Sequence, residues 1–419
     1  MSILHLAIHS LLNRSVTVIL TICAIAISIT LLLGVEKVRN EARLSFANTI
    51  TGVDLIVGAR SGSIQLLLYS VFRIGNATKN VSWETYEDIS KRPEVDWTIP
   101  LSLGDSHKGF RVLGTNQSYF DHYKYGRDKP LAFSDGDRFS GVYEAVLGSS
   151  VAAELDYRVG QDIIVTHGLG EVGITTHDDK PFKIVGILKP TGTPIDRTIH
   201  VPLEGIEAMH IDWRGGARIP SLSTSAEDAL EMDLKPDEVT AFLVGLKSPL
   251  ATFQFQRLVN DYRSEPLQAT LPGVALQELW DMMGVAESAL FVISLLVVGT
   301  GLTGMLTSIL STLQERRREM AILRSIGARP IHVLALLSCE VFLLVCVGAL
   351  LGVLLLYLGL FAARPIIESE MGLSIGIGML TGYQLNLLAM VVVAGFLVGL
   401  IPAHMAYRSS LADGMTVRT

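Results

Sequence analysis

Six histidines, His107, His122, His167, His177, His200 and His210, fall within one stretch of this chain and are its side chains best suited to holding a metal ion. His177 is followed directly by Asp178 and Asp179. None of the six has the H-x-x-x-H or H-E-x-x-H spacing that puts two imidazoles on one helix face. Surface histidines that bind no metal are therefore the expectation, with a metal-handling accessory as a lesser alternative. Nucleophilic catalysis has little support, because the segment Val35 to Met283 holds no G-x-S-x-G and no cysteine; Cys23, Cys339 and Cys346 lie outside it. The chain has no Gly-Lys dipeptide and hence no P-loop. Gly299-Thr300-Gly301-Leu302-Thr303-Gly304 matches the dinucleotide pattern G-x-G-x-x-G, but it stands inside an apolar run with no soluble strand before it. Close helix packing is the better reading of Gly299 and Gly304. The same small-xxx-small spacing recurs at Gly348 with Gly352 and at Gly395 with Gly399. Glu340 is an acid at the start of another apolar run, where a carboxylate needs a partner or water.

The elements that carry these residues are set by composition. Of 419 residues 49% are apolar and 18% charged, with a mean hydropathy of +0.42. A disordered chain is excluded. Lys and Arg number 34 against 41 Asp and Glu, a net charge of −7, so no basic field is available for nucleic acid. Ser15–Gly34, Ser288–Gln314, Val341–Ala363 and Leu385–Tyr407 contain no Lys, Arg, Asp or Glu. Each is long enough to cross the roughly 30 Å of a bilayer's hydrocarbon core. The first run ends at Leu33-Gly34-Val35-Glu36 without a small-x-small cleavage site, which favours an anchor over a cleaved signal.

Orientation follows from the short loops, because Lys and Arg resist translocation. Arg316, Arg317, Arg318, Arg324 and Arg329 cluster between the second and third runs, whereas the next loop offers Arg364 against Glu368 and Glu370. Both termini are then cytoplasmic and Val35–Met283 is translocated, with 25 basic and 34 acidic residues. Leu4, Ile8, Leu11 and Leu12 share a helical face and predict an interfacial helix at residues 1–14.

The expected layout is an interfacial helix (1–14), spans at 15–35, 285–313, 331–363 and 385–407, an outer domain (36–284), a cytoplasmic segment (314–330), an outer loop (364–384) and a cytoplasmic tail (408–419). The fold class is a membrane protein of four transmembrane helices plus a mixed α/β extracytoplasmic domain of two lobes. Expected strands are Asp54–Val57, Phe110–Leu113, Glu144–Leu147, Gln161–Thr166, Phe182–Leu188 and Val239–Leu246; expected helices are Ser82–Ile89, Ser149–Leu155, Leu203–His210 and Pro249–Arg263. Glu36–Ala47 and Leu276–Val285 are expected to extend two spans as helical stalks able to transmit movement, as Gly/Ser linkers would not.

The cytoplasmic run Gln314-Glu315-Arg316-Arg317-Arg318-Glu319-Met320-Ala321-Ile322-Leu323-Arg324-Ser325-Ile326-Gly327-Ala328 resembles the signature that joins spans two and three in MacB/FtsX/LolC-type permeases, membrane subunits of ABC transporters. Phe182–Leu188, Thr191-Gly192-Thr193-Pro194-Ile195-Asp196, Val201-Pro202-Leu203 and Val146-Leu147-Gly148 look like the outer domain of the MacB type. Leu411 stands where a Pro is usual after the last span, and Gly414-Met415 departs from the usual ending. The resemblance implies an inserted lobe at about 117–238 and an ATPase-docking surface at Glu315, Arg316, Arg318, Glu319, Leu323, Arg324 and Gly327. It also implies a non-catalytic chain in a bacterial inner membrane that binds no cofactor itself. ATP and Mg would act through a partner ABC ATP-binding subunit, beside a second permease copy in a homodimer and a periplasmic protein or lipoprotein. The different-class alternative is an FtsX-like signalling scaffold that activates an extracytoplasmic partner.

Overall fold

A computed structural model describes residues 3–12, 14–168, 178–214, 217–218, 224–315, 322, 325, 327–371 and 376–408. It divides into two compact units, Met1–Glu41 with Gly284–Pro365 and Gly376–Thr419, and Ala42–Met283 with Ile366–Ile375.

The first unit is helical. Four helices, Ser15–Ala47, Pro272–Glu315, Pro330–Met371 and Gly382–Arg408, contain the stretches apolar enough to cross a membrane, and the short helix Ile3–Leu12 precedes them. The expected stalks, Glu36–Ala47 and Leu276–Val285, are helical throughout. At 33 and 44 residues these two helices run about 50 and 66 Å, well beyond the hydrocarbon thickness. Where the first leaves its uncharged stretch, polar groups are tied down. Lys37 Nζ, buried, lies 3.0 Å from Glu41 Oε1 and donates to the Gly378 carbonyl at 3.1 Å, while Glu36 pairs with Arg39 at 2.7 Å.

The second unit is built on one mixed sheet of eleven strands. In chain order the strands are β1 (Leu55–Ala59), β2 (Val95–His107), β3 (Phe110–Thr115), β4 (Phe133–Gly136), β5 (Glu144–Leu147), β6 (Asp162–Ile163), β7 (Thr166–His167), β8 (Phe182–Leu188), β9 (Thr198–Pro202), β10 (Ala241–Leu246) and β11 (Leu267–Thr270). Spatial order is β11-β1-β10-β2-β3-β9-β5-β8-β4, with β7 on β2 and β6 on β8. β3–β9 and β5–β8 are parallel and the other pairs antiparallel. The thirteen-residue β2 serves both halves of the sheet: Val95–Leu101 pairs with β10, and Ser102–His107 with β3.

Side-chain alternation supplies a core on each face. Ile56 packs with Leu66, Tyr69 and Ile99, whereas Leu55 and Val57 pack with Tyr86, Phe242 and Phe255. A third cluster around Phe110, Leu147, Phe182, Ile199 and Met209 fills the other half. β1 and β10 are buried along their whole length, as strands covered on both faces must be.

Several expected elements form with altered limits. Glu144–Leu147, Phe182–Leu188 and Leu203–His210 form as read, and Ser82 caps the helix Trp83–Ser90 by accepting from the Thr85 N–H. The expected strand Gln161–Thr166 is instead broken into β6 and β7, because the Ile164 carbonyl turns to His107 Nδ1 at 2.6 Å. Val239–Leu246 is interrupted at Thr240, whose N–H donates to the Leu101 carbonyl at 2.8 Å. Pro249–Arg263 begins as a 3-10 turn over Pro249–Ala251, and its α-helix ends at Asn260.

Candidate functional site

The helical unit packs through its glycines. A Cβ at Gly348 would sit 2.8 Å from Ile25 Cγ2, one at Gly352 2.9 Å from Ile29 Cβ, one at Gly395 2.9 Å from Val345 Cγ2 and one at Gly399 2.1 Å from Val341 Cγ1. The first helix is thus seated on the third, and the third on the fourth. Within the second helix the close approach falls at Gly301, whose Cβ would meet Ser28 Oγ at 2.6 Å; Gly299 and Gly304, expected to pack, have nothing within 4 Å among the described residues. Hydroxyls follow the same seams: Thr30 Oγ1 donates to the Gly352 carbonyl at 2.9 Å, Ser28 Oγ to Val297 at 3.1 Å, and Thr21 Oγ1 to Ser308 Oγ at 3.1 Å. In lipid such bonds and close backbone contacts hold helices together where burial of apolar surface cannot.

Glu340 is buried in this unit and lines a cavity of about 40 Å³ with Arg14, Thr17, Thr21, Ser308 and Thr312. That space is large enough for one or two waters. The hydroxyls of Thr17, Thr21, Ser308 and Thr312 and the Arg14 side chain give this otherwise apolar cavity, also lined by Leu11, Val18, Ile309, Leu337, Val341 and Leu344, its polar groups. Of the expected docking residues, Arg316, Arg318, Glu319, Leu323 and Arg324 lie outside the described residues, as does the side chain of Glu315. Gly327 is described and has φ +102°, a left-handed conformation that favours glycine where the chain turns before Pro330.

In the globular unit the histidines separate into distinct environments, with His177 outside the described residues. His122 stacks on Trp97. His107 is held between the Ile164 carbonyl and the Tyr157 hydroxyl, and burial pushes its pKa down. His200 is fully buried beside Tyr119; burial and then the Arg73 charge depress its pKa to about 3. His167 and His210 instead converge on Asp105, a residue that sequence spacing did not single out. A separate cavity of about 310 Å³ is lined by Phe46, Phe72 and Phe110 and by Arg73, Arg111 and Arg197.

Residues 18–260 match the MacB-like periplasmic core domain, and residues 291–411 match the FtsX-like permease C-terminal region. The chain belongs to the MacB/FtsX family of ABC-type permeases. It is 25% identical over 346 residues to the pyoverdine export ATP-binding/permease protein PvdT of Pseudomonas savastanoi pv. phaseolicola, covering 78% of this chain and 47% of the relative. It is 27% identical over 295 residues to the macrolide export ATP-binding/permease protein MacB of Rhodospirillum rubrum, covering 68% and 40%. The MacB/FtsX chain spans about half the length of the curated relatives it matches. The periplasmic region of MacB from Actinobacillus actinomycetemcomitans aligns at 12% identity and a TM-score of 0.33, covering 54% of this chain and 94% of that one. Family and helices together make this MacB/FtsX permease a multi-pass protein of a bacterial inner membrane.

Proposed function

We propose that the chain is a permease subunit that couples ATP hydrolysis on a cytoplasmic ATP-binding partner to movement of its periplasmic domain, and that it works as a homodimer in export or in lipid or lipoprotein transfer. The observation that carries the proposal is the length of two helices. Ser15–Ala47 and Pro272–Glu315 continue unbroken past their apolar stretches, so that a tilt or rotation at one end reaches the other. The loop charges orient the arginine-rich segment toward the cytoplasm, where an ATPase docks, and the acidic domain outward. The four apolar stretches contain no Lys, Arg, Asp or Glu, Glu340 standing just before the third, so they offer little for a polar route through the bilayer and the work falls to the outer domain.

Purification of the chain from its host in mild detergent is expected to recover an ATP-binding subunit. Replacing Glu315, Arg318 and Glu319 together by Ala is expected to lose that subunit while the permease stays folded. Recovery of no nucleotide-hydrolysing chain with the unaltered protein, or undiminished recovery with the triple variant, would overturn the proposal.

A further inference from the structure

We propose that Asp105, His167 and His210 form a binding site for a divalent metal ion of the Zn2+ class, with two imidazole nitrogens and one carboxylate oxygen as ligands. The site is built from residues far apart in the chain, and it does not depend on the coupling mechanism proposed above.

Three elements position the ligands. Asp105 of β2 and His167 of β7 are directly opposed cross-strand partners. On the other edge of β2, the register advances from Leu103 to Ser106 while β3 moves only from Leu113 to Arg111, which leaves one extra residue at Gly104-Asp105. Such a bulge re-aims a side chain, and here it brings Asp105, Ser106 and His107 into the interior in succession. The short β7 is clamped by side chains, since Thr166 Oγ1 donates to the Ser106 carbonyl at 2.9 Å and stands 3.3 Å from Ser106 Oγ. His210 ends the eight-residue helix Leu203–His210, where the carbonyl end of the helix dipole favours positive charge.

Asp105 Oδ1 lies 3.0 Å from His167 Nδ1 and 3.6 Å from His210 Nε2, and one ligand atom from each residue falls within 4.8 Å of the others. Ligands held at about 2.0–2.1 Å around a tetrahedral centre are about 3.3–3.4 Å apart, so two of the three separations already bracket the required value. One ion pair explains one imidazole beside a carboxylate; two imidazoles meeting the same oxygen form a donor set that a cation can share. Nitrogen donors select the zinc class over Mg2+ and Ca2+, which take oxygen ligands. Asp105 is 4% exposed, His210 is half-buried and the His167 side chain is 44% exposed, so the site is anchored inside and open outside. Three protein ligands leave a fourth position for water or for a donor atom from another molecule.

The test is calorimetric titration of the full, tag-free chain in detergent with ZnCl2, in a His9→Ala background, because His5 and His9 stack on the helix Ile3–Leu12 with ring centroids 4.5 Å apart and offer a separate pair of imidazoles. One equivalent of Zn2+ is expected to bind at micromolar concentration or below, and Co2+ to give the visible absorption of a low-coordinate nitrogen/oxygen site. His167→Ala, an exposed change that leaves the core intact, is expected to weaken Zn2+ binding by at least about tenfold and to abolish the Co2+ band. Asp105→Asn should do the same, and His122→Ala should change neither. Absence of Zn2+ binding at micromolar levels, or wild-type binding by both His167→Ala and Asp105→Asn, overturns the assignment.

Discussion

Lys180 and Asp212 form an ion pair at 3.3 Å with side-chain exposures of 0% and 1%, joining the chain just before β8 to the chain just after the helix Leu203–His210. Lys180→Met keeps most of the side-chain volume and removes the cation, leaving a carboxylate inside a dry interior. Breaking a buried pair in this way costs about 3–5 kcal/mol, because the surviving charge is shielded from water and has lost its cation. Replacing both members by apolar residues removes the stranded charge, so Lys180→Met with Asp212→Leu is expected to recover most of the loss. The assay is urea unfolding of the full chain in detergent, followed by tryptophan fluorescence. All four tryptophans, Trp83, Trp97, Trp213 and Trp280, lie between Ala42 and Met283, so the signal comes from the globular unit. With a slope of about 3 kcal/mol per molar urea for a unit of this size, the single variant's midpoint should fall by roughly 1 to 1.7 M. An unchanged midpoint for Lys180→Met, or a double variant as unstable as the single, would show that the pair is solvated and refute the reasoning.

His200 is held neutral by burial, with a pKa near 3 against 6.5 for a free ring, so unfolding takes up a proton and stability falls as pH drops from 6.5 toward 3. His200→Phe is expected to lessen the loss between pH 6.5 and 5 by about 1.6 kcal/mol, read from urea midpoints at each pH; parallel profiles would contradict this. Gly399→Ala forces a Cβ to within 2.1 Å of Val341 Cγ1 and should destabilise the helical unit by about 1–3 kcal/mol in a detergent melt. Gly299→Ala and Gly304→Ala meet open space and should leave that melt unchanged, and a loss of dimer on size-exclusion in either variant would place these glycines against a second copy. Glu340→Gln preserves hydrogen bonding in the small cavity and removes the carboxylate; reduced co-purification with an ATP-binding subunit or reduced ATPase activity is expected, and unchanged assembly and hydrolysis would rule out a role for it.

The four spans were legible because a bilayer requires long uncharged runs, and the edges of charge at Arg14, Glu36 and Glu340 mark where those runs stop. In the globular unit, the alternation in Phe182–Leu188 and the turn residues on either side were enough to read β8. β2 was not read, although Val95, Trp97, Ile99, Leu101 and Leu103 alternate, because Pro100 and Gly104 interrupt the pattern with residues that ordinarily end strands. The helix Ser63–Ser70 was hidden by a continuous apolar run that has no helical period. The glycines at 348, 352, 395 and 399 could be read from spacing alone, whereas the choice of Gly301 over its neighbours depends on which side of the helix meets Ser28. Asp105, His167 and His210 lay beyond any spacing rule, since a bulge, a two-residue strand and a helix end bring them together.

The neighbours of β1 impose an order of assembly. Leu55–Ala59 pairs only with β10 and β11, both of which lie after residue 240, so ribosome and translocase release an apolar strand about 180 residues before anything can cover its edges. Contacts this distant in sequence close slowly and leave the emerging polypeptide exposed to aggregation. A nascent chain stopped before Ala241 would have its first strand but no partner for it, so this pairing waits until nearly all of the globular unit has been made.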